Sequence, residues 1–445
     1  MSKKLPTVAV VGQTNVGKSS LFNRMVGFQQ AVVAREAGTT RDKVVGIVEH
    51  NGQNFWLVDT AGLKDPSDEF EASIQEQITE ATEAADLILV VVDSTIPPSD
   101  DDRSVAKKAL KSRKPVILIL NKVDKKESLP TEEFLRLGIK QINRTSAEHN
   151  RGVSALLDEI AKNIPTAKDT PRDDILRIAF IGRPNVGKSY LFNTLGGKQE
   201  AIVANVAGTT RDINRVRTRY KTQDIEILDT AGIRRSGKIE TGIEKFSVLR
   251  TLQAIEEADV CLLLVDVNDL HVSLDQKLAG MIKESGKGLI LVVSKWDTYE
   301  EKTPFSRDEI AKQLINNFQF APWVTLLFTS AVTGQNVSKI FDLALDIYER
   351  RKTKRKTSEL NKILQKCIEK HPPAGLKNTH PKLRYMVQTD VNPPWFVIYG
   401  SHLKFLHWSY KRYLEHAIRE AYDYTGTSIK FSFREEKKER LESEK

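Results

Sequence analysis

Residues 12–19 read GQTNVGKS, and residues 182–189 read GRPNVGKS. Both fit the phosphate-loop pattern G-x-x-x-x-G-K-[ST], and each follows an aliphatic run and opens a helical pattern, the context that this motif requires. The glycines let the backbone curl so that successive N–H groups point at phosphate oxygens. In the first copy, Lys18 would reach the β- and γ-phosphates, and Ser19 would supply a hydroxyl to Mg²⁺. The chain is therefore predicted to bind a nucleoside triphosphate at two places.

Two further motifs recur in the same order and at the same distance. G-T-T-R-D occupies residues 38–42 and 208–212, and D-T-A-G occupies residues 59–62 and 229–232, so each motif returns 170 positions later, as the phosphate loop does. Chance matches would not keep this register. The pattern indicates one domain duplicated in tandem, with a period too long for a solenoid repeat.

Each copy alternates short aliphatic runs with helical patterns. In the first copy we expect strands at residues 8–12, 54–60, 85–93 and 115–122, and helices at residues 69–86 and 99–113. The strands hardly alternate with polar residues, as is typical of strands buried on both faces. The pattern predicts an α/β fold in which each copy has a doubly wound, mostly parallel sheet.

The domain boundaries follow from a change in composition after each copy. The segment PTAKDTPRDD between the copies contains two prolines and no apolar pattern, which is typical of a linker. We expect a first G domain at residues 1–165, a linker at 166–175, a second G domain at 176–351 and a small α+β domain at 352–445.

Composition narrows the functional classes. No apolar run approaches the ~18 residues of a transmembrane helix. The N-terminal MSKKLPTVAVVG leads directly into glycine-rich sequence, unlike a signal peptide. The two cysteines, Cys261 and Cys367, have no C-x-x-C partner, so a reducing, cytoplasmic location is expected.

Positive charge is concentrated in the last fifth of the chain. Residues 351–445 contain 21 Lys and Arg against 11 Asp and Glu, a surplus of +10, whereas the whole chain carries +9. A basic module beside two nearly neutral ones favours an anionic partner, most often nucleic acid. A solvated basic surface without a partner is the alternative.

The recurring threonine and aspartate motifs predict a γ-phosphate sensor in each copy. Thr40 and Thr210 lie in the G-T-T-R-D loops, where a threonine binds Mg²⁺ only when the γ-phosphate is present. Asp59 and Asp229 follow aliphatic strands, so that D-T-A-G brings a carboxylate near the metal. We expect hydrolysis to release both loops.

The residue after D-T-A-G is Leu63 in the first copy and Ile233 in the second. Many GTPases place a glutamine there to orient the attacking water, which neither aliphatic side chain can do. Hydrolysis must then rely on another group or on a bound cation. Asn15 and Asn185 of the phosphate loops would hold a monovalent ion in place of an arginine finger, or they only brace the loop.

The base-recognition motif differs between the copies: residues 121–124 read NKVD, whereas residues 294–297 read SKWD. Asp124 and Asp297 would accept hydrogen bonds from guanine N1–H and N2–H₂, which adenine does not offer. The asparagine would tie this loop to the phosphate loop, and the shorter Ser294 can still donate one hydrogen bond to neighbouring backbone. Losing an auxiliary hydrogen bond costs ~0.5–1.5 kcal/mol, so we expect the second site to prefer GTP and to bind it at most roughly tenfold more weakly.

These motifs resemble one family closely. Two tandem G domains with N-V-G-K-S, G-T-T-R-D and D-T-A-G, followed by a short C-terminal domain, are similar to the bacterial double-G-domain GTPases of the Der (EngA) family, in the TRAFAC class. The resemblance covers nearly the whole chain. The first copy departs from the family's frequent G-R-P-N, and D-T-A-G departs from D-T-G-G, without losing a needed chemical group.

The resemblance implies a GTP-hydrolysing switch protein that acts in assembly of the large (50S) ribosomal subunit. Its cofactors would be GTP or GDP, Mg²⁺ and K⁺, and it would act as a monomer whose KH-like C-terminal domain helps to dock on rRNA. An RNA-modification-associated or membrane-associated GTPase is an alternative, which an added catalytic domain would favour. An ATPase such as a kinase or transporter subunit is a third, against which N-K-V-D and D-T-A-G argue.

The resemblance also transfers site residues position by position. The GTP-binding residues of the first copy would be Gly12, Gln13, Thr14, Asn15, Val16, Gly17, Lys18, Ser19, Asp59, Thr60, Ala61, Gly62, Leu63, Asn121, Lys122, Val123, Asp124, Ser146 and Ala147. Those of the second would be Gly182, Arg183, Pro184, Asn185, Val186, Gly187, Lys188, Ser189, Asp229, Thr230, Ala231, Gly232, Ile233, Ser294, Lys295, Trp296, Asp297, Ser330 and Ala331. The Mg²⁺ ligands would be Ser19, Thr40, Asp59, Ser189, Thr210 and Asp229, the K⁺ ligands Asn15 and Asn185, and the catalytic set Lys18, Thr40, Lys188 and Thr210.

The C-terminal segment is predicted to form a helix, two strands, a helix and a strand. It lacks the G-x-x-G loop with which an ordinary KH domain clamps nucleotides, so sequence-specific reading of a single strand is not expected. Four aromatic side chains either stack on bases or belong to the core: Trp395, Phe396, Trp408 and Tyr410. The basic residues expected to meet rRNA phosphates are Lys352, Lys354, Arg355, Lys356, Lys411 and Arg412.

Overall fold

The computed structural model of the chain describes residues 5–30, 45–59, 79, 81, 85–165, 174–197, 204–205, 214–229, 248–270, 273–300, 302–375 and 379–435. These residues form two compact units. The first unit contains the described residues up to 165 together with Asn214, Asp229 and residues 248–257, and the second contains the others. The second unit therefore holds two of the three described sheets.

A six-stranded sheet forms the centre of the first unit. Its strands are β1 (Thr7–Val11), β2 (Val45–His50), β3 (Gln53–Asp59), β4 (Leu87–Asp93), β5 (Val116–Asn121) and β6 (Ile142–Arg144), in the order β2-β3-β1-β4-β5-β6. Neighbouring strands are parallel except for the antiparallel pair β2 and β3. β1 is buried throughout, as its continuous aliphatic sequence predicts.

Helices pack against this sheet. They are α1 (Lys18–Gln30), α2 (Asp100–Lys111) and α3 (Val153–Asn163). α2 begins with a capping box, in which the side chains of Ser99 and Asp102 accept hydrogen bonds from each other's backbone N–H. Phe22 of α1 and Leu156 of α3 share one buried cluster with Val10 of β1. The phosphate loop therefore lies between a fully buried strand and a helix anchored in the core.

A seven-stranded sheet forms the centre of the second unit. Its strands are β7 (Leu176–Ile181), β8 (Ala204–Asn205), β9 (Asn214–Tyr220), β10 (Gln223–Asp229), β11 (Val260–Asp266), β12 (Gly288–Ser294) and β13 (Thr325–Phe328), in the order β13-β12-β11-β7-β10-β9-β8. β7, β11, β12 and β13 run parallel. The arrangement repeats the strand–phosphate loop–helix order of the first unit.

The helices of the second copy are α4 (Lys188–Gly197), α5 (Val248–Glu257), α6 (Ser273–Glu284), α7 (Ser306–Asn317) and α8 (Lys339–Lys352). α5 belongs to the first unit, in which Trp56 Nε1 donates a hydrogen bond to the Glu256 carboxylate at 2.8 Å. Both side chains are buried. The sequence repeat did not predict this grouping, because it depends on contacts between distant segments.

A three-stranded sheet forms the C-terminal domain. β14 (Lys382–Val391) is antiparallel to β15 (Pro394–Ser401), which is parallel to β16 (Lys430–Glu435). α9 (Thr357–Lys370) and α10 (Trp408–Ala421) supply Leu364 and Leu414 to a core that includes Phe396 of β15. The predicted order of helix, two strands, helix and strand is confirmed.

The predicted fold class is also confirmed: two α/β sheets, mostly parallel, precede a small α+β domain. The sequence did not predict β2 or β9, because VGIVEH and NRVRTRY mix polar with apolar residues. The helix expected at residues 69–86 and the linker expected at residues 166–175 lie mostly outside the described residues. Within the described part of the chain, no helix combines the length and apolar character needed to cross a membrane.

Inside the second unit, a buried arginine joins the C-terminal domain to the preceding sheet. Arg351, near the end of α8, is 0% exposed and donates to the Gly286 carbonyl oxygen at 2.9 Å. Its Nε also donates to Asn392 Oδ1 at 3.0 Å. One side chain therefore bonds to the loop before β12 and to the turn between β14 and β15.

A glycine completes this junction. The Gly426 N–H donates to the Trp323 carbonyl oxygen at 2.7 Å, and the Gly426 carbonyl oxygen accepts from the Leu289 N–H at 2.8 Å. Gly426 has φ of +73°, and a Cβ there would lie 2.3 Å from Ile347 Cδ1. Only glycine fits this close approach without displacing the core.

We predict that Arg351→Ala lowers the free energy of unfolding by about 2–4 kcal/mol, because the buried oxygens of Gly286 and Asn392 lose their donor. Urea denaturation would measure the change. Arg350→Ala is the matched control: Arg350 forms a partly exposed ion pair with Asp423 at 2.9 Å, and its loss should cost less than about 1 kcal/mol. Equal urea midpoints for the two variants would contradict the assigned role of Arg351.

Candidate nucleotide-binding sites

The predicted nucleotide-binding residues lie where parallel strands end. In the first unit, β1 ends at Val11, β3 at Asp59 and β5 at Asn121; in the second, β7 ends at Ile181 and β12 at Ser294. The carboxyl ends of parallel strands meet at one edge of a sheet, so motifs far apart in sequence come together there.

Both phosphate loops have the same backbone form. Gly12, Asn15 and Gly17 have φ of 148°, 63° and 92°, and the corresponding residues of the second loop have φ of 152°, 62° and 97°. A Cβ at Gly12 would lie 2.3 Å from the Val91 carbonyl oxygen, so no side chain fits there. Asparagine adopts a left-handed conformation more readily than most residues. Its recurrence therefore has a conformational reason that does not depend on a bound ion.

The lysine of each phosphate loop folds back onto its own loop. Lys18 Nζ donates to the carbonyl oxygens of Gly12 at 2.9 Å and Gln13 at 2.5 Å. Lys188 makes the same two contacts in the second loop at 3.1 and 2.6 Å. Burial lowers the pKa of Lys18, and the nearby Asp59 carboxylate opposes this shift. Each loop thus fixes one buried amino group at the site expected to receive phosphate.

Ser19 and Asp59 come together although 40 positions separate them in the chain. Ser19 Oγ donates to Asp59 Oδ2 at 2.7 Å, and Asp59 is 1% exposed. Hydroxyl and carboxylate oxygens are the ligands that Mg²⁺ prefers, so the pair fits the predicted metal.

Several predicted site residues lie outside the described part of the chain. They are Thr40, Thr60, Ala61, Gly62, Leu63, Thr210, Thr230, Ala231, Gly232 and Ile233. Asp229 ends β10. The switch loops and the second set of Mg²⁺ ligands therefore stay predictions.

Asn121 fastens the base-side motif of the first copy to the phosphate loop. It is 2% exposed, and its Nδ2 donates to the Val16 carbonyl oxygen at 2.9 Å. Its Oδ1 accepts from the Ala147 N–H at 3.2 Å and from the Thr145 hydroxyl at 3.3 Å. A Cβ at Gly17 would lie 2.3 Å from Asn121 Nδ2, so the contact also requires that glycine. One amide thus joins β5, the phosphate loop and the residues after β6. We call Ser146–Ala147, and the corresponding Ser330–Ala331 of the second copy, the S-A segments.

Ser294 reaches the equivalent carbonyl oxygen in the second copy. Its Oγ lies 2.7 Å from the Val186 carbonyl oxygen and 3.1 Å from that of Val265, so its single proton bonds mainly to Val186. Among the described residues, no hydrogen bond joins Ser294 to Ala331 of the second S-A segment. The second site therefore keeps the tie to the phosphate loop but lacks the tie to the S-A segment.

Sequence reasoning missed the residues that hold the S-A segments from the adjacent helices. Arg24 Nε of α1 donates to the Ala147 carbonyl oxygen at 3.0 Å. Thr194 Oγ1 of α4 lies 3.0 Å from the Ala331 carbonyl oxygen and 2.9 Å from that of Tyr190, so it shares its single proton between them. An arginine and a threonine do this work at corresponding positions. No sequence pattern could have signalled them, because the residue types differ.

Two aspartates that the motif search omitted bind the lysines of NKVD and SKWD. Lys122 Nζ lies 2.5 Å from Asp93 Oδ2, and Lys295 Nζ lies 2.6 Å from Asp266 Oδ2. Asp93 ends β4 and Asp266 ends β11. Each of these aliphatic strands ends with an aspartate, so the sequence did contain a signal for the partner of each lysine.

Asp124 is held in its ionised form. A hydrogen bond from the Ser146 side chain lowers the pKa of Asp124, and His149, whose Nε2 is 3.6 Å from Asp124 Oδ2, adds an attractive charge when protonated. The Asp124 side chain is 8% exposed. A fixed carboxylate suits a group that must accept the two guanine N–H bonds.

In the second copy, Trp296 precedes the corresponding Asp297. Its ring is 6% exposed, stacks on Tyr299 with centroids 5.5 Å apart and meets Phe328 edge-on at 5.0 Å. Trp296 therefore supports the base-side loop by packing, and its backbone N–H donates to the Thr329 carbonyl oxygen at 3.1 Å.

The second position of the phosphate loop is anchored differently in the two copies. Arg183 Nη1 lies 2.8 Å from Asp269 Oδ2, and its Nε lies 3.1 Å from Asp275 Oδ2. Burial raises the pKa of Asp275 to about 7, although Arg183 opposes this shift. In the first copy, Gln13 Nε2 donates to the Ser99 hydroxyl instead. Arg183 thus joins the second loop to Asp269 and to Asp275 of α6, whereas a neutral hydrogen bond joins the first loop to Ser99, the residue before α2.

Two family models match the chain. The family described as "50S ribosome-binding GTPase" matches residues 7–122 and 177–295, more than half of the chain. The family described as "KH-domain-like of EngA bacterial GTPase enzymes, C-terminal" matches residues 354–434.

Relatives named GTPase Der are similar along nearly their whole length. The Gemmatimonas aurantiaca protein is 40% identical over 431 residues, 97% of this chain and 99% of its own. The Thermomicrobium roseum protein is 41% identical over 443 residues, 97% and 96% of the two chains. The Chloroflexus aggregans protein is 42% identical over 451 residues, 98% and 99%. The similarity therefore spans both nucleotide sites and the C-terminal domain.

We predict that Ser294→Asn tightens GTP binding at the second site by up to about tenfold, because the amide adds an acceptor for the S-A segment. Asn121→Ser should weaken the first site by a similar factor. Titration with a fluorescent GTP analogue would measure each site separately in a chain whose other phosphate-loop lysine is replaced by alanine. Ser294→Ala is the control and should weaken binding. Unchanged affinity in Ser294→Asn would refute the prediction.

Proposed function

This chain belongs to the GTPase Der family and is a GTPase, as its motifs predicted, and we propose that both G domains bind GTP and serve assembly of the large ribosomal subunit. The observation that carries this proposal is the tie between base-side motif and phosphate loop, made through Val16 in one copy and Val186 in the other. The folded-back lysine contacts also recur, from Lys18 to Gly12 in one copy and from Lys188 to Gly182 in the other. Two working sites are the simplest account of this agreement.

The residues of each site would divide the work by position. Backbone N–H groups of the phosphate loop and the Lys18 or Lys188 amino group would bind the β- and γ-phosphates. Bound Mg²⁺ supplies positive charge to the phosphates. Its proposed ligands are Ser19, Thr40 and Asp59 in the first copy and Ser189, Thr210 and Asp229 in the second.

Guanine selection would depend on Asp124 and Asp297. A carboxylate facing adenine would meet a lone pair at N1 and no amino group at C2, so its acceptors would be buried without partners. Ser294 does not alter this discrimination against adenine, because it bonds to the phosphate loop and the Asp297 carboxylate is still present. We therefore assign GTP preference to both sites.

We further propose that a potassium ion assists hydrolysis at both sites. Leu63 and Ile233 cannot orient the attacking water as a glutamine would, so hydrolysis must rely on another group or on a bound cation. Asn15 and Asn185 occupy matching left-handed positions in the phosphate loops, and their amide oxygens are suitable ligands for a hard cation.

GTP turnover in K⁺ and in Na⁺ tests this role. Lys18→Ala and Lys188→Ala each leave one site intact, and both variants should hydrolyse GTP faster in K⁺. In the Lys18→Ala background, Asn185→Gly keeps a backbone able to adopt positive φ but removes the amide, and should abolish the preference for K⁺. Equal rates in both salts, or a potassium preference that survives Asn185→Gly, would contradict this role and indicate that the asparagine only braces the phosphate loop.

The C-terminal domain is proposed to dock on rRNA. Its segment carries a surplus of +10, and Lys354 and Lys356 are exposed. Lys352 is instead 2.5 Å from Asp174 Oδ1, and Arg355 lies 4.4 Å from the Tyr422 ring centroid. Exposed lysines suit phosphate contacts that give affinity without sequence reading.

Both cysteines are buried and form no disulfide. This suits the reducing cytoplasm, where we propose that the protein acts as a monomer.

Cosedimentation with purified large subunits tests the ribosomal role. We expect the full chain to associate in the presence of a non-hydrolysable GTP analogue and to dissociate as salt rises, because phosphate contacts release counterions. The double variant Lys18→Ala, Lys188→Ala is the control and should lose the nucleotide dependence. A chain that stays in the supernatant in every nucleotide state at moderate salt would overturn this role.

A further inference from the structure

An exposed tryptophan begins α10. Trp408 is 40% exposed, whereas Phe396 and Tyr410 belong to the core. Trp395 is half-buried and its Nε1 donates to the Ser432 hydroxyl at 2.8 Å. A single exposed aromatic side chain is common on protein surfaces, so a role for Trp408 has to be inferred from the groups around it.

Arg412 and His407 lie beside this ring. Arg412 Cζ lies 4.6 Å from the Trp408 ring centroid, and the His407 ring centroid lies 5.4 Å away. Lys411 follows Trp408 by three positions on α10, the spacing of helical neighbours, and Lys404 lies just before the helix. Their ammonium groups lie 5.0 Å from the ring centroids of Phe433 and Phe405, respectively. The basic aromatic patch consists of Lys404, His407, Trp408, Lys411 and Arg412.

The two lysines of the patch form no ion pair with any acidic side chain among the described residues. Glu415, on the same helix, accepts from Arg419 Nη2 at 2.8 Å, and Glu435 accepts from the His402 N–H at 2.9 Å. Burial lowers the pKa of Lys411, so the protein bears a cost to keep this lysine charged. An external anion would offset that cost.

The patch has a rigid support. His407 caps α10, its Nδ1 accepting from the Ser409 N–H at 3.3 Å, so the remaining ring proton is on Nε2. Tyr410 donates to the His371 carbonyl oxygen at 2.8 Å, and Leu414 lies in the core. Trp408, Lys411 and Arg412 are therefore carried by a helix whose other face is fixed.

We propose that the basic aromatic patch binds single-stranded RNA, with one unpaired base stacked on Trp408 and adjacent phosphates bound by Lys404, Lys411 and Arg412. This proposal rests on the proposed docking to rRNA. It adds that the RNA is single-stranded and that these four side chains contact it. Only an unpaired base has a face free for stacking on a side chain. An acidic peptide would satisfy the cations but offers no planar base to the indole ring.

A short fluorescent oligouridylate of about ten nucleotides, titrated with the full chain, tests the inference by anisotropy. Trp408→Ala should weaken binding about 5- to 100-fold, the range expected from loss of one stacked base, and Trp408→Phe should retain part of the affinity. The double variant Lys411→Ala, Arg412→Ala should reduce the slope of log K against log salt by about 1.4, which is two phosphate contacts on a single strand.

Tyr385→Ala is the matched control. Tyr385 is also 40% exposed in this domain, but its ring stacks on Tyr399 with centroids 4.6 Å apart. Its replacement should leave RNA affinity unchanged, and unchanged GTP turnover in every variant would report an intact fold. The inference is overturned if Trp408→Ala binds oligouridylate as tightly as the unsubstituted chain does. It is also overturned if duplex RNA binds the unsubstituted chain as tightly as oligouridylate, or if polyglutamate displaces the labelled RNA as well as unlabelled oligouridylate does.

Cosedimentation separates this inference from the proposed function. If Trp408→Ala binds both oligouridylate and the large subunit normally, the patch assignment fails and the ribosomal role stands. If the unsubstituted chain binds oligouridylate through Trp408 but never associates with the large subunit, the ribosomal role fails and the patch assignment stands.

Discussion

One hydrogen bond in each G domain connects the two ends of the nucleotide site. The side chain that closes β5 or β12 donates to a valine carbonyl oxygen of the phosphate loop, from Asn121 to Val16 and from Ser294 to Val186. The phosphate-binding and base-binding motifs belong to different strands, so a direct bond between them sets their separation. The glycine turns, the folded-back lysines and the carboxylates that we propose to select guanine would all depend on this separation to bind one ligand together.

The two copies share this bond but surround it differently. Asn121 also accepts two hydrogen bonds from the segment after β6, an interaction that a serine hydroxyl cannot reproduce at the same reach. In the second phosphate loop, Arg183 pairs with Asp269, in the loop after β11, and with Asp275 of α6. The two copies therefore differ in the hydrogen bonds and ion pairs that hold the base side and the phosphate side of each site.

Other buried hydrogen bonds attach the C-terminal domain to the second unit's seven-stranded sheet. Arg351 and the backbone of Gly426 hold it to the sheet of the second unit through buried hydrogen bonds. Arg350 adds a partly exposed ion pair with Asp423. Both arginines belong to α8, so the junction does not use the lysines of the domain that we propose to contact RNA. A domain held in this way can present a basic surface without needing that surface for its own stability.

The sequence alone determined the two α/β sheets and the constant 170-residue spacing of their motifs, because glycine, lysine and aspartate at fixed spacing after aliphatic strands have few structural alternatives. Only the tertiary structure decided which neighbours complete each site. Thr194 holds the second S-A segment and Ser294 bonds to Val186 because chain folding brings distant segments within 3 Å. The tertiary structure likewise separated buried Tyr410 from exposed Trp408, two positions apart, since exposure depends on which face of α10 meets the core.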